Sequence, residues 1–164
     1  MKVLYYGGQK SGKSKLAEEK TLELCYDKKP YYIATYDNSY NDKEMAERIY
    51  THQWQREEKF TSIEEPFDLP LVIENRGTYL VDCLSMWILN TLDLPIREIF
   101  QQLEELSEKS SNIIFVLNDV SSGIIPMDKE SRLFVDRTGV IGQKVASFCD
   151  EVYEVKLGLP IKLK

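Results

Sequence analysis

The chain has 164 residues, 43% hydrophobic and 29% charged, with a net charge of −6. That length fits one domain, spanning 1–164, with one substantial core. The acidic balance argues against a nucleic-acid-binding surface and leaves a small anion to be bound by a local basic site. Cys25, Cys83 and Cys149 are widely spaced and form no C-x-x-C pair, and His52 is the only histidine. A zinc site is therefore not expected, and free thiols fit a reducing, cytoplasmic location. The N-terminal apolar run, Val3 to Tyr6, is too short for a signal peptide or a membrane span.

Val3-Leu4-Tyr5-Tyr6 reads as a buried strand. Gly7-Gly8-Gln9-Lys10-Ser11-Gly12-Lys13-Ser14 follows and fits G-x-x-x-x-G-K-[ST] at every position. Lys15-Leu16-Ala17-Glu18-Glu19 then reads as the start of a helix. In that strand–loop–helix setting the glycines let successive backbone N–H groups converge on one anion. The helix N-terminus adds partial positive charge. Lys13 can reach the β- and γ-phosphates, and the Ser14 hydroxyl can ligate Mg²⁺.

Tyr31 to Thr35 reads as a strand after Pro30. Asn41 and Glu44 have the spacing of a capping box, so a helix is expected from there to about Lys59. Phe60 to Ile63 reads as a short strand, and Thr78 to Asp82 as a buried strand expected beside the phosphate-loop strand. A helix through Met86, Trp87, Leu89 and Asn90 follows, and Pro95 opens another with Ile96, Ile99, Leu103 and Leu106 at helical spacing. Ile113 to Leu117 is the most apolar strand, and Lys129 to Phe148 a long helix. Glu151 to Lys156 and Ile161 to Leu163 form a closing hairpin around Gly158-Leu159-Pro160. The expectation is an α/β fold: a mostly parallel sheet, helices on both faces and an antiparallel C-terminal hairpin. Ligands in such sheets bind at the carboxyl ends of strands, so Gly7, Thr35, Asp82 and Asn118 are expected around one crevice.

Asp82 stands where a Mg²⁺-linked carboxylate sits in phosphate-loop proteins, and equally where a cap for the helix from Leu84 would sit. Arg48, His52 and Arg56 fall on one i, i+4, i+8 helix stripe. Two guanidiniums would keep the imidazole neutral and nucleophilic and grip phosphate oxygens. The same stripe also reads as a solvated charged face. Glu64 and Glu65, before Pro66, could accept hydrogen bonds from a guanine edge, hold a ribose or metal, or simply border a turn. Asn118-Asp119, with Gly123 and Pro126 beyond, reads as a substrate loop or a plain connection.

Taken together these segments resemble the bifunctional adenosylcobinamide kinase/adenosylcobinamide-phosphate guanylyltransferases of cobalamin biosynthesis. The resemblance rests on Gly7 to Ser14, Tyr32 to Thr35, Arg48-Ile49-x-x-His52-x-x-x-Arg56, Glu64-Glu65-Pro66, Val81 to Leu84, Asn118 to Pro126, Asp150 to Val152 and Gly158 to Pro160. It implies a P-loop NTPase fold of RecA-like type, often trimeric, and two reactions. One phosphorylates the cobinamide aminopropanol hydroxyl from a nucleoside triphosphate. The other carries GMP from GTP on a histidine to adenosylcobinamide phosphate. His52 matches that catalytic histidine. Gly7 to Ser14, Ile33, Ala34, Thr35, Arg48, Arg56, Glu64 and Asp82 match nucleotide-binding positions, with Ser14 and Asp82 at Mg²⁺. GTP, with ATP as a further donor, and a corrinoid are the implied substrates. The family usually reads Asn-Glu-Val-Gly where this chain has Asn118-Asp119-Val120-Ser121, and Arg-Asp and Asn-Gln where it has Val135-Asp136 and Gly142-Gln143. The residues alone also admit a phosphate-loop kinase of another small metabolite, or a nucleotide-binding regulatory protein that transfers nothing.

Overall fold

The central strands carry apolar side chains on both faces, and that sets the layers. The structure, a computed structural model, describes residues 1–26, 28–37 and 58–164. In chain order the described elements are β1 (Lys2–Gly7), α1 (Lys13–Glu23), β2 (Tyr31–Ala34), β3 (Thr61–Glu64), α2 (Leu69–Val72), β4 (Thr78–Asp82), α3 (Leu84–Asn90), α4 (Ile96–Glu108), β5 (Asn112–Asn118), α5 (Lys129–Phe148), β6 (Glu151–Lys156) and β7 (Leu159–Lys162). The sheet order is β3-β2-β4-β5-β1-β6-β7. Among the described residues all pairings are parallel except β6–β7.

Val3, Tyr5, Tyr32, Leu80, Ile114, Val116 and Val155 face one layer and pack with Ala17 of α1. Leu4, Ile33, Tyr79, Val81, Ile113, Phe115 and Leu117 face the other, under α3, α4 and α5. There Ile99, Leu103 and Leu106 of α4 are fully buried, each worth roughly 1.5–3 kcal/mol of apolar transfer. Trp87 of α3 is buried beside them, and its indole N–H donates to the Phe67 carbonyl at 2.9 Å. Asp128 starts α5 by accepting the Ser131 N–H at 2.7 Å.

Several expectations need correction. β5, not β4, lies beside β1, so Asp82 ends the second strand over. The cap position of α3 is Cys83, without a side-chain cap bond, so Asp82 is not the cap. The helix expected from Asn41, with Arg48, His52 and Arg56 on it, lies outside the described residues as far as 57. Glu58 and Lys59 form a turn rather than its last residues. The short helix α2 was not anticipated; Pro70 lies within its first two positions, and the Glu65 carboxylate accepts the Phe67 and Asp68 N–H groups before it at 2.9 and 2.8 Å. The last strand begins at Leu159, two residues early, because Pro160 is tolerated on an edge strand.

Gly7 lies between β5 and β6, and a Cβ there would meet the Val155 carbonyl oxygen at 2.5 Å. The obstacle is backbone, so it cannot rotate away. Gly7→Ala should destabilise the fold by roughly 1–3 kcal/mol, read as a lowered urea midpoint at unchanged slope.

Candidate phosphate-binding cleft

The loop between β1 and α1 wraps an opening of about 570 Å³ lined by residues 9 to 15, Asp82 and Asn118. Gly12 permits the turn into α1: its φ is +97°, a left-handed value that a side chain disfavours. The loop is closed by one bond of its own and braced by two from elsewhere in the chain. The Ser11 N–H donates to the Gly8 carbonyl at 3.2 Å, the Asp119 N–H to the Gly7 carbonyl at 2.8 Å, and the Gly158 N–H to the Ser11 carbonyl at 2.8 Å. The last brace comes from the β6–β7 turn. A Cβ on Gly12 would lie 3.2 Å from the Gly158 Cα. Sequence reading missed this contact; the Gly-Leu-Pro turn was its only local trace.

Lys13 is only 6% exposed, and its ammonium donates to the Gly8 carbonyl at 3.0 Å. Burial lowers its pKa, while the Cys83 and Asp82 charges act in the opposite direction. A bound polyphosphate would supply the counter-charge that favours the ammonium. Ser14 is half-buried at the head of α1, in the same cleft as Asp82. A hydroxyl and a carboxylate are hard oxygen donors that fit Mg²⁺, which takes one or two carboxylates together with substrate phosphates. Among the described residues no three His, Cys, Asp or Glu groups cluster to hold a metal without a substrate.

The other strand-end residues separate. Asn118 lines the cleft, with its N–H on the Ser85 hydroxyl at 2.9 Å. Thr35 is fully buried and does not reach the cleft; its hydroxyl donates to the Cys83 carbonyl at 2.7 Å and accepts the Cys83 N–H at 3.0 Å. Ile33 is a core residue of the opposite face, and Ala34 packs on the α1 face. Glu64 is exposed at the end of edge strand β3, four places from β1, or on the order of 19 Å by strand spacing. Arg48, His52 and Arg56 lie outside the described residues. The Cys83 thiol is pushed up to about 11 by burial and by the neighbouring Asp82 charge, so it is no nucleophile at neutral pH. All three cysteines are free.

A family model described as cobinamide kinase / cobinamide phosphate guanyltransferase matches residues 3–163. The chain belongs to this family. It is 36% identical to the bifunctional adenosylcobalamin biosynthesis protein CobP of Pseudomonas aeruginosa, over all of this chain and 98% of that one. It is 27% identical to the bifunctional adenosylcobalamin biosynthesis protein CobU of Escherichia coli, over the full length of both. Among solved structures, a Pyrococcus horikoshii protein under study as PH0250 superposes with a TM-score of 0.54 at 12% identity, covering 99% of this chain and 85% of its own. The flagellar accessory protein FlaH of Methanocaldococcus jannaschii gives 0.53 at 13% identity, covering 99% of this chain and 77% of its own. These two likenesses concern the fold alone, which is that of the P-loop NTPases. The chain is thus a transferase of the cobinamide kinase / cobinamide phosphate guanyltransferase family, and the cleft at Lys13 is its nucleotide-phosphate candidate.

One departure from the usual family sequence now has a local structure. Asp119 folds the loop after β5 by accepting the Ser121 and Ser122 N–H groups at 3.0 and 3.1 Å and both serine hydroxyls. Burial alone would raise its pKa, but hydrogen bonds from Ser122, Tyr6 and Ser121 outweigh that and hold it at about 2. The folded pKa is depressed, so the stability Asp119 contributes is complete above its ordinary value near 3.9. It is lost as pH falls through about 2. A carboxyl-carbon NMR titration should place the Asp119 midpoint near 2. Lys13→Ala removes a charge-assisted contact of roughly 1.5–3 kcal/mol, so GTP affinity by calorimetry should fall about ten- to a hundredfold with the fold retained.

Proposed function

We propose that this protein phosphorylates the aminopropanol hydroxyl of adenosylcobinamide and then transfers GMP from GTP to the resulting phosphate, through a guanylyl group carried on His52. The observation that carries the reading is the cleft itself. It brings Lys13, Ser14, Asp82 and a braced glycine loop together in a chain matched over residues 3–163 to a family named for both reactions. The Lys13 ammonium and the loop N–H groups bind and orient the triphosphate, and Ser14 and Asp82 hold its Mg²⁺. The metal, when bound, offsets charge on the β- and γ-phosphate oxygens. In the kinase step the substrate hydroxyl oxygen bonds to the γ-phosphorus, the bond to the β-phosphate oxygen breaks, the nucleoside diphosphate leaves and the hydroxyl proton passes to solvent.

In the second reaction a neutral His52 ring nitrogen bonds to the α-phosphorus of GTP and pyrophosphate leaves. An oxygen of the cobinamide phosphate then attacks that phosphorus, the N–P bond breaks and the imidazole is regenerated. Support for His52 is its place as the only histidine, between Arg48 and Arg56, in the segment that resembles the family's guanylylated one. Glu64, Ile33, Ala34 and Thr35 are assigned to the nucleotide on resemblance alone, Thr35 acting through its grip on Cys83. Assembly as a homotrimer in the cytoplasm belongs to the same reading. Exposed Ile124, Ile125 and Met127 offer apolar surface for it, and no helix among the described residues is long and apolar enough to cross a membrane.

Labelling tests the assignment. Protein incubated with α-³²P-GTP should retain label after denaturation, lose it in mild acid and keep it in alkali, as an N–P bond does. Protein incubated with γ-³²P-GTP should retain none. His52→Ala should abolish the adduct and leave phosphorylation of cobinamide largely intact. An adduct that persists in His52→Ala removes the residue from the mechanism, and turnover without any adduct leaves a simple kinase.

A further inference from the structure

Tyr32 has no part in a phosphate-binding loop, yet its hydroxyl ends on Asp82, a residue that lines the cleft. The residue is 9% exposed on β2, with its ring edge-on to Phe60 at a centroid distance of 6.2 Å. Its O–H donates to Asp82 Oδ2 at 3.1 Å. The strand register explains the reach. Tyr32 pairs with Leu80 and Ala34 with Asp82, so Tyr32 and Asp82 share a face, one two-residue step apart along parallel strands. That face is the one covered by α1, whose first residues are Lys13 and Ser14. The chain beyond Asp82 is held separately, by the two hydrogen bonds between the Thr35 hydroxyl and the Cys83 backbone. β2 and the residue that follows it therefore hold Asp82 twice: one carboxylate oxygen through Tyr32, and the following peptide through Thr35.

We propose that Tyr32 is a positioning residue for the Mg²⁺–nucleotide complex, fixing the rotamer in which Asp82 meets the metal. This rests on the reading of Asp82 as a Mg²⁺-linked carboxylate. A carboxylate that must find a small octahedral ion loses affinity when its orientation is free, and partners one step removed from a metal commonly set that orientation. Tyr32 suits the task because its ring is anchored by packing and only its tip is polar.

The test compares GTP binding by calorimetry across a Mg²⁺ series and in EDTA, for the wild type, Tyr32→Phe, Asp82→Asn and Phe60→Leu, each checked by thermal melting. Tyr32→Phe keeps the ring and removes the hydrogen bond to Asp82. It should raise the Mg²⁺ concentration for half-maximal enhancement by about tenfold and leave affinity in EDTA unchanged. Asp82→Asn should lose most of the enhancement. Phe60→Leu loosens the ring but keeps the hydroxyl, so it should lower the melting temperature and move the Mg²⁺ requirement much less than Tyr32→Phe does. A wild-type Mg²⁺ requirement in Tyr32→Phe, with Asp82→Asn impaired, overturns the positioning role and leaves Asp82 in place. A wild-type requirement in Asp82→Asn overturns the reading of Asp82 itself. Equal losses with and without Mg²⁺ in Tyr32→Phe, or a Phe60→Leu shift as large as that of Tyr32→Phe, assigns the effect to packing and overturns the proposal.

Discussion

The backbone of β6 passes so close to Gly7 that a β-carbon there would sit 2.5 Å from the Val155 carbonyl oxygen, and the cleft is built outward from that approach. With β5 on its other side, the end of β1 is held between two parallel neighbours. The Gly7 carbonyl takes the Asp119 N–H, which turns the chain leaving β5 toward the loop. The turn after β6 then reaches the Ser11 carbonyl. A glycine-rich loop is thereby held from outside as well as by its own bonds. Fixed N–H groups are what anion binding without reorganisation requires.

The electrostatics follow the same economy. A chain of net charge −6 repels polyanions at long range, so the attraction must come from few groups at short range. Lys13 is one, buried at the head of α1, where the helix N-terminus adds to it. Asp82 shares its cleft, which would be counterproductive toward phosphate alone and is sensible toward phosphate with a divalent cation. On the proposed reading, lysines and one carboxylate in the same cleft would select the metal-bound form of a nucleotide over the free anion.

Local signals were readable in the sequence where the physics is local. The phosphate loop, the span of α5 and that of β6 follow from residue type and spacing, and the structure has the same bounds for α5 and β6. What was not readable depends on partners far apart in the chain. Nothing in Thr78 to Asp82 says that β5 inserts between it and β1; that order is decided by which apolar faces stack. Thr35 looked like a strand-end residue open to ligand, but its hydroxyl serves Cys83, 48 positions on. Tyr32 read as one position of a strand, and the carboxylate its hydroxyl meets lies 50 positions on. The helix α2 is a single turn, too short for any periodic pattern, and its local traces are Pro70 and the Glu65 carboxylate that turns the chain before it.

The brace from Gly158 ties the first functional segment of the chain to almost the last. β1 pairs only with β5 and β6, so the N-terminal strand finds both neighbours after more than a hundred further residues are made. During synthesis the loop therefore leaves the ribosome early and waits, without its supports, until the hairpin emerges. Such long-range closure slows folding relative to local contacts. It also ties nucleotide capture to the finished sheet: a nascent chain that has made its lysine and glycines still lacks the β6 backbone and the turn that hold them in place.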